Sequence, residues 1–483
     1  MWLLMEQTQL RKLAGLDRQV HELTKDFHNS TPVASYAVKG SGGNSHGGRS
    51  VSFDIKDALL IAAVTESPVL MIGDTDSGKT TLAKLVMNAL FGQPGSGFSK
   101  LDIDTSFSDE TLATIDFGAI SGGKTSDQLY SIASALKMPG LIIDEMNRTD
   151  PRLAAKLLHI LLEKEVTIAG RPHRIGHMLP NGSTYQFQIA AINSGYKGTF
   201  EMDEALVRRA VMELPMNMFP PGMADFSMLL SSVYRDIPLR ETKSHLEDVL
   251  SVKDAVSGIA LDPEVSHFLL YLHAMESCVK SATGTKGGIE MRQGSSLKPF
   301  CINNGSGVAC HFLNEYQNEM CPNVRGLSAG VAKNLILLSQ GFAALRGTKM
   351  AAGETNEEDY SAIAGNLKVE VQDMVAAVPF VGYSKMGMSA EWVIKQFRTS
   401  RWHAVKGVVE SAYQKFSTFY LQNFDALSKA GTPGLSKEEA MRVMRDAWQQ
   451  DHFMYFSLVP YFAKIFPEIL SIQRNAQSPS GSQ

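Results

Sequence analysis

The chain has 483 residues, 44% hydrophobic and 20% charged, with a formal net charge of −4 at pH 7. That length exceeds what a single core organises, so roughly two to four domains are expected. The near-neutral balance excludes a chain drawn to nucleic acid by bulk electrostatics, and no apolar run reaches the roughly 18 residues of a membrane span. Met1-Trp-Leu-Leu-Met5 is too short for a secretory leader, so a cytoplasmic location is expected.

Residues 1–28 read as a helix, with Leu10, Leu13, Leu16, Val20 and Leu23 on one stripe. Lys39 to Gly48 holds five glycines and two serines and reads as a flexible linker or mobile loop closing an N-terminal segment, 1–50. Residues 54–66 read as a helix with Ile55, Ala58, Leu59 and Ala62 inward, leading into Val69-Leu-Met-Ile-Gly-Asp-Thr-Asp-Ser-Gly-Lys-Thr-Thr81. Val69 to Ile72 form a short buried strand. Gly73 through Thr80 match G-x-x-x-x-G-K-[ST], and Leu82, Leu85, Val86, Ala89 and Leu90 recur at helical spacing. Strand, glycine loop and helix together predict a phosphate site. The loop Gly73, Asp74, Thr75, Asp76, Ser77, Gly78, Lys79, Thr80 and Thr81 is the expected nucleotide-binding segment. Lys79 would face the β- and γ-phosphates and the Thr80 hydroxyl would ligate Mg²⁺. Asp74 and Asp76 put acids inside that loop; even with their side chains turned outward they would oppose phosphate locally, and a weaker nucleotide affinity is expected.

Lys100 to Asp104 reads as a second strand, 115–124 as a glycine-rich excursion and 127–137 as a short helix. Gly140-Leu-Ile-Ile-Asp-Glu145 is an apolar strand ending in two carboxylates. Asp144 is expected to hold Mg²⁺ through water, and Glu145 to orient or deprotonate the attacking water. Residues 151–164 read as an amphipathic helix, and 165–188 as a hairpin region bearing Arg171, His173, Arg174 and His177. Gln186 to Ile192 is another strand, and it ends at Asn193. That asparagine either bonds the attacking water or the γ-phosphate, or sits in an ordinary turn. Asp203 to Arg209 reads as a short helix presenting Arg208 and Arg209.

The run Ile142-Ile-Asp-Glu-Met-Asn-Arg148 resembles the Walker B signature of the MoxR-type AAA+ ATPases. Gly198-Thr-Phe-Glu-Met-Asp-Glu-Ala205, followed by Arg208-Arg209, and the hairpin at Glu165 to Gly170 are similar to that family too. The resemblance covers about residues 51–215 and resumes more loosely at Asp262-Pro-Glu-Val265, Asn323-Val-Arg-Gly-Leu327, Arg346-Gly347 and Glu357-Glu-Asp359, as a helical lid. It implies that Asn193 is the sensor-1 asparagine and Arg325 the sensor-2 arginine. It also implies that Arg209 or Arg208 reaches a neighbouring subunit's γ-phosphate. Here the family's Leu-Asp-Arg-Phe run reads Val207-Arg-Arg-Ala210, which leaves open which arginine is the finger. A trans arginine requires a ring. The excursion 115–124, with Phe117, and the hairpin 165–188 fall where the family inserts elements facing the ring pore or a partner; the alternative is ordinary surface loops.

Residues 278–322 interrupt the lid and hold all four cysteines, Cys278, Cys301, Cys310 and Cys321. Without a C-x-x-C pair they read as free thiols, although His311 beside Cys310 keeps a zinc site open. The tail from 361 is helical and rich in aromatics, among them Trp392, Trp402, Phe416, Tyr420, Trp448, Phe453 and Tyr455, which read as core. Arg398, Arg401, His403 and Lys406 beside Trp402 read as a solvated face in preference to a nucleic-acid contact.

The fold expected is α/β: an AAA+ P-loop NTPase αβα core at 51–222, a helical lid at 223–360 with its insert, and a helical C-terminal domain at 361–483. The reaction expected is Mg²⁺-dependent ATP hydrolysis in a homo-oligomeric ring, most simply a hexamer. The resemblance implies a chaperone-like remodeller that activates or assembles a partner protein, often one with a von Willebrand factor A-type domain. The rival readings are a DNA- or RNA-processing motor of restriction or phage type, and a nucleotide-binding assembly protein with little turnover.

Overall fold

The computed structural model describes residues 5–466, excluding 28, 39–48, 105–106, 108–111, 116–129, 150, 169–170, 194–209, 222, 224–237, 276–323, 353–356, 399, 430–433 and 464. The chain divides into two compact units: residues 1–260 with 336–368, and residues 261–335 with 369–483.

The first unit begins with helix α1 (Gln7–Leu23), whose stripe Leu10, Leu13, Leu16 and Val20 is buried as its helical spacing requires. Strands β1 (Ala34–Val38) and β2 (Arg49–Phe53) form an antiparallel pair, with Ala34 opposite Phe53. The glycine-rich run 39–48 connects these two strands and itself lies outside the described residues. Helix α2 (Ile55–Val64) starts at Asp54, whose side chain accepts from the N–H of Asp57 while Asp57 returns the bond to the Asp54 N–H. Every residue of α2 is buried, Lys56 and Asp57 included, so burial extends beyond the one inward face the spacing predicts.

Next come β3 (Val69–Gly73), α3 (Lys79–Phe91), β4 (Phe98–Asp102), β5 (Ala113–Ile115), β6 (Tyr130–Ile132) and β7 (Gly140–Asp144). Helix α4 (Pro151–Glu163) leads to the hairpin β8 (Glu165–Ile168) and β9 (Arg171–Arg174), then to the short pair β10 (His177–Met178) and β11 (Thr184–Tyr185). Strands β12 (Phe187–Asn193) and β13 (Met212–Pro215) complete the sheet, and α5 (Leu246–Ser257) follows. The five-stranded sheet has the order β13-β3-β12-β7-β4 and all its pairs are parallel. β7 and β12 are buried throughout, as strands covered on both faces must be.

Two expectations shift. The second strand occupies Phe98–Asp102, two residues earlier than Lys100–Asp104, because Phe98 pairs with Gly140 and Asp102 with Asp144. Within the stretch read as a helix at 127–137, residues 130–132 pair instead with 113–115, leaving one 3₁₀ turn at Ser134–Lys137. The competing cross-strand partner outweighed a helix too short to stand alone. The readings that rest on Phe117, on the helix at 203–209 and on the four cysteines lie outside the described residues.

A charged cluster joins α1 to α2. His21 Nδ1 lies 3.1 Å from Asp17 Oδ1, and His21 Nε2 lies 3.5 Å from Asp54 and 3.7 Å from Asp57, while Lys349 sits 3.0 Å from Asp57. Burial opposes the charged imidazole, yet hydrogen bonds to Asp17 and Asp54 and the nearby carboxylate charges raise it to about 10. Burial pushes the Asp57 carboxyl up to about 7.

The second unit is helical. Its helices include Pro263–Ala274, Val371–Gly382, Ala390–Phe397, Arg401–Gln422, Lys437–Gln450 and His452–Phe462. Asp451 caps the last of these through the Phe453 N–H at 2.9 Å and takes the Tyr271 hydroxyl at 2.5 Å. Trp392, Trp402, Phe416, Tyr420, Phe453 and Tyr455 are core residues. Arg401 donates to the Tyr383 and Met386 carbonyls, and Lys406 lies 3.8 Å from Glu410 one turn along the same helix, on its exposed face. Among the described residues, no helix is long and apolar enough to cross a membrane.

Candidate functional site

The parallel register brings three strand ends to one edge of the sheet. Asn193 stands opposite Gly73, and β7 delivers Asp144 on the other side of β12. Open parallel sheets bind ligands at this carboxyl edge.

The phosphate loop leaves β3 at Gly73. A Cβ there would meet Asn217 Oδ1 and Ser77 Oγ at 3.0 Å and Met216 at 3.1 Å, so only glycine fits comfortably. Asn217 Oδ1 accepts from the Asp74 N–H at 3.1 Å and fastens the loop to the turn after β13. Asp76 and Gly78 are left-handed, with φ +66° and +78°, and this curls the loop back into the start of α3, where a helix N-terminus favours phosphate. A Cβ on Gly78 would approach a ring carbon of Phe27 to 2.8 Å, so the segment after α1 lies against the loop. Asp74, Thr75 and Asp76 are exposed.

Lys79 is buried and folds back on the loop. Its Nζ donates to the Gly73 carbonyl at 2.9 Å, the Asp74 carbonyl at 2.5 Å and Ser77 Oγ at 3.0 Å. Burial pushes its ammonium below the ordinary lysine value, against the opposing pull of Asp144, Asp74, Glu145 and Asp76. Thr80 Oγ1 lies 3.0 and 2.9 Å from the two oxygens of Asp144. A hydroxyl and a carboxylate are hard oxygen donors suited to Mg²⁺, so the residues fit a magnesium nucleotide. Lys100, from the neighbouring strand, puts its Nζ 2.9 Å from Asp144 Oδ2 and also pairs with Asp102.

Glu145 is left-handed, with φ +55°, and opens a 3₁₀ turn at Met146–Arg148. Its Oε1 accepts from Arg148 Nη2 at 2.8 Å and from Asn193 Nδ2 at 3.3 Å. A left-handed, non-glycine residue at a strand end is strained, and such strain collects at working sites. The Asn147 amide bonds the Asn193 backbone in both directions.

The structure therefore brings together Gly73 to Thr80, Asp144, Glu145 and Asn193. Arg208 and Arg209 lie outside the described residues. The Arg325 backbone pairs with Gly387 within the second unit. The sequence reading missed Asn147, Lys100, Asn217 and Phe27. Asn147 stood inside the quoted Ile142–Arg148 run, and Lys100 inside the strand read beside it. Asn217 and Phe27 carried no local signal.

Residues 48–179 match the family model described as the Sigma-54 interaction domain. The chain is 24% identical over 303 residues to protein MoxR of Paracoccus denitrificans, across 59% of this chain and 84% of that one. A solved structure from Cytophaga hutchinsonii, described as a candidate ATPase, superposes with a TM-score of 0.53 at 13% identity, over 84% of this chain and 96% of its own. That last likeness speaks for the fold. This sheet and this phosphate loop, with the matching family model, are those of an ATP-hydrolysing AAA+ P-loop ATPase, and the chain is similar to MoxR.

Proposed function

We propose that the chain is a ring-forming, chaperone-like remodeller that spends Mg²⁺-dependent ATP hydrolysis on activating or assembling a partner protein. The observation that carries the reading is the shared sheet edge, where Thr80 and Asp144 meet and Asn193 reaches Glu145 at 3.3 Å. Lys79 faces the β- and γ-phosphates and balances charge as the terminal phosphate departs. Thr80 and Asp144 would hold magnesium, which neutralises phosphate charge when bound. Glu145 orients the attacking water and accepts its proton, and Asn193 holds that water and the γ-phosphate in line. Arg209 or Arg208 completes the site of the next subunit, so that activity requires a ring, most simply a hexamer. Arg325 acts as the lid's nucleotide sensor. By analogy with MoxR, the partner is a protein, with a von Willebrand factor A-type domain as the first kind to test, in the cytoplasm.

Steady-state ATPase activity across a protein concentration series, with and without DNA, tests this. A rate per subunit that climbs with concentration and ignores DNA is expected. Stimulation by DNA would replace this reading with a nucleic-acid motor. Glu145→Gln is expected to abolish turnover while nucleotide still binds, and wild-type turnover in that variant would refute its role.

A further inference from the structure

Asn147 is 5% exposed, and its side-chain amide bonds one residue at both ends. Its Nδ2 donates to the Asn193 carbonyl at 2.7 Å, and its Oδ1 accepts from the Asn193 N–H at 3.2 Å. In a parallel sheet the N–H and C=O of one residue face the same neighbour, so Asn147 stands where a strand residue would. The true ladder between β12 and β7 runs from Phe187 opposite Gly140 to Ala190 opposite Ile143. Beyond it the chain leaves the strand direction at the left-handed Glu145. The Asn147 amide takes up the pairing where the β7 backbone has turned away. It refastens the end of β12 to the turn that bears Glu145.

The consequence falls on two other side chains. Asn193 Nδ2 reaches Glu145 Oε1 at 3.3 Å, and both residues hang from the backbone that Asn147 ties together. We infer that Asn147 is a positioning residue of the ATPase site, fixing the Asn193 carboxamide against the Glu145 carboxylate so that both meet the attacking water in one geometry. This rests on the roles given above to Glu145 and Asn193. The chemistry of the clamp admits little substitution. A carboxylate of the same shape keeps the acceptor for the Asn193 N–H but loses the donor and sets charge against a carbonyl. A methyl group leaves two backbone groups of the buried Asn193 without these partners.

The test compares Asn147→Asp, Asn147→Ala, Asn193→Ala, the Asn147→Ala/Asn193→Ala double variant and Glu145→Gln in the full chain. kcat, KM, the Kd of a fluorescent ADP analogue and the melting profile are read for each. Misplacement of a catalytic group by about 1 Å costs on the order of 100-fold, so kcat of both Asn147 variants should fall by about that factor. Their nucleotide Kd should stay within about threefold, and Asn147→Ala should cost less than about threefold once Asn193 is already alanine, because the two act as one unit. A near-normal kcat in folded Asn147→Asp, penalties that multiply in the double variant, or a matching loss of nucleotide affinity would each overturn the inference. So would an Asn147→Asp variant that no longer melts cooperatively, which would assign the amide to folding. Glu145→Gln reads the underlying assignment separately. Wild-type turnover there sinks the role of Glu145 whatever the Asn147 variants do.

Discussion

Asp76→Asn isolates the electrostatic cost of an acid in the phosphate loop. Asp76 is exposed and left-handed at φ +66°. Asparagine tolerates that conformation about as well as aspartate, so the substitution removes the charge and leaves the loop backbone in place. Because the side chain is exposed, its repulsion of a nucleotide acts through water. A pair of unit charges in water is worth about 1 kcal/mol at 4 Å and half that at twice the distance, and salt screens it over about 8 Å. Against the net excess of roughly two negative charges on a metal-bound nucleotide, this leaves about 0.5 kcal/mol, or a roughly twofold tighter Kd. Displacement of a fluorescent ADP analogue at low and high salt measures it. The gain should shrink as salt rises. An unchanged Kd at low salt, or a gain that persists at high salt, would refute the argument and point to a changed loop conformation.

Two further outcomes follow from packing and charge. Gly140→Ala would set a Cβ 2.7 Å from Phe98 Cβ and 2.8 Å from Met87 Sδ, between α3 and the start of β7. Overpacking of this kind costs about 1–3 kcal/mol, and a thermal melt should drop accordingly; an unchanged melting temperature would mean that α3 and β4 yield freely. The His21 cluster makes stability fall as pH rises. His21 is raised in the folded chain, so its contribution is complete below its unfolded value of 6.5 and is lost as pH climbs through about 10. Asp57, raised by burial to about 7, acts in the same direction from its unfolded value of 3.8 upward. The groups facing the imidazole are Asp17, Asp54 and Asp57, with Lys349 beyond Asp57. Melting temperatures between about pH 7 and about pH 10.5, the window set by the raised imidazole, should decline in the wild type and flatten in His21→Gln. A pH-independent wild type would deny that the imidazole is charged in the fold.

The parts of the site that were legible in the sequence are those whose chemistry is contiguous. Gly73 to Thr80 must curl one short loop around phosphate, and Gly140 to Glu145 must run as a buried strand ending in acids, so spacing and apolar pattern reveal both. The stripe of α1 and the end of β12 at Asn193 were legible for the same reason. The stretch near 130 was misread as helix because a short segment takes its state from its partner, here residues 113–115. What tertiary structure alone decided is which distant groups meet. Asn147 and Asn193 are 46 residues apart, and Thr80 and Asp144 are 64 apart. Lys100 reaches Asp144 only because β4 lies beside β7, and Phe27 reaches Gly78 only because α1 returns its chain to the loop. Periodicity tells a residue which way to face; the order and register of the strands determine what it faces.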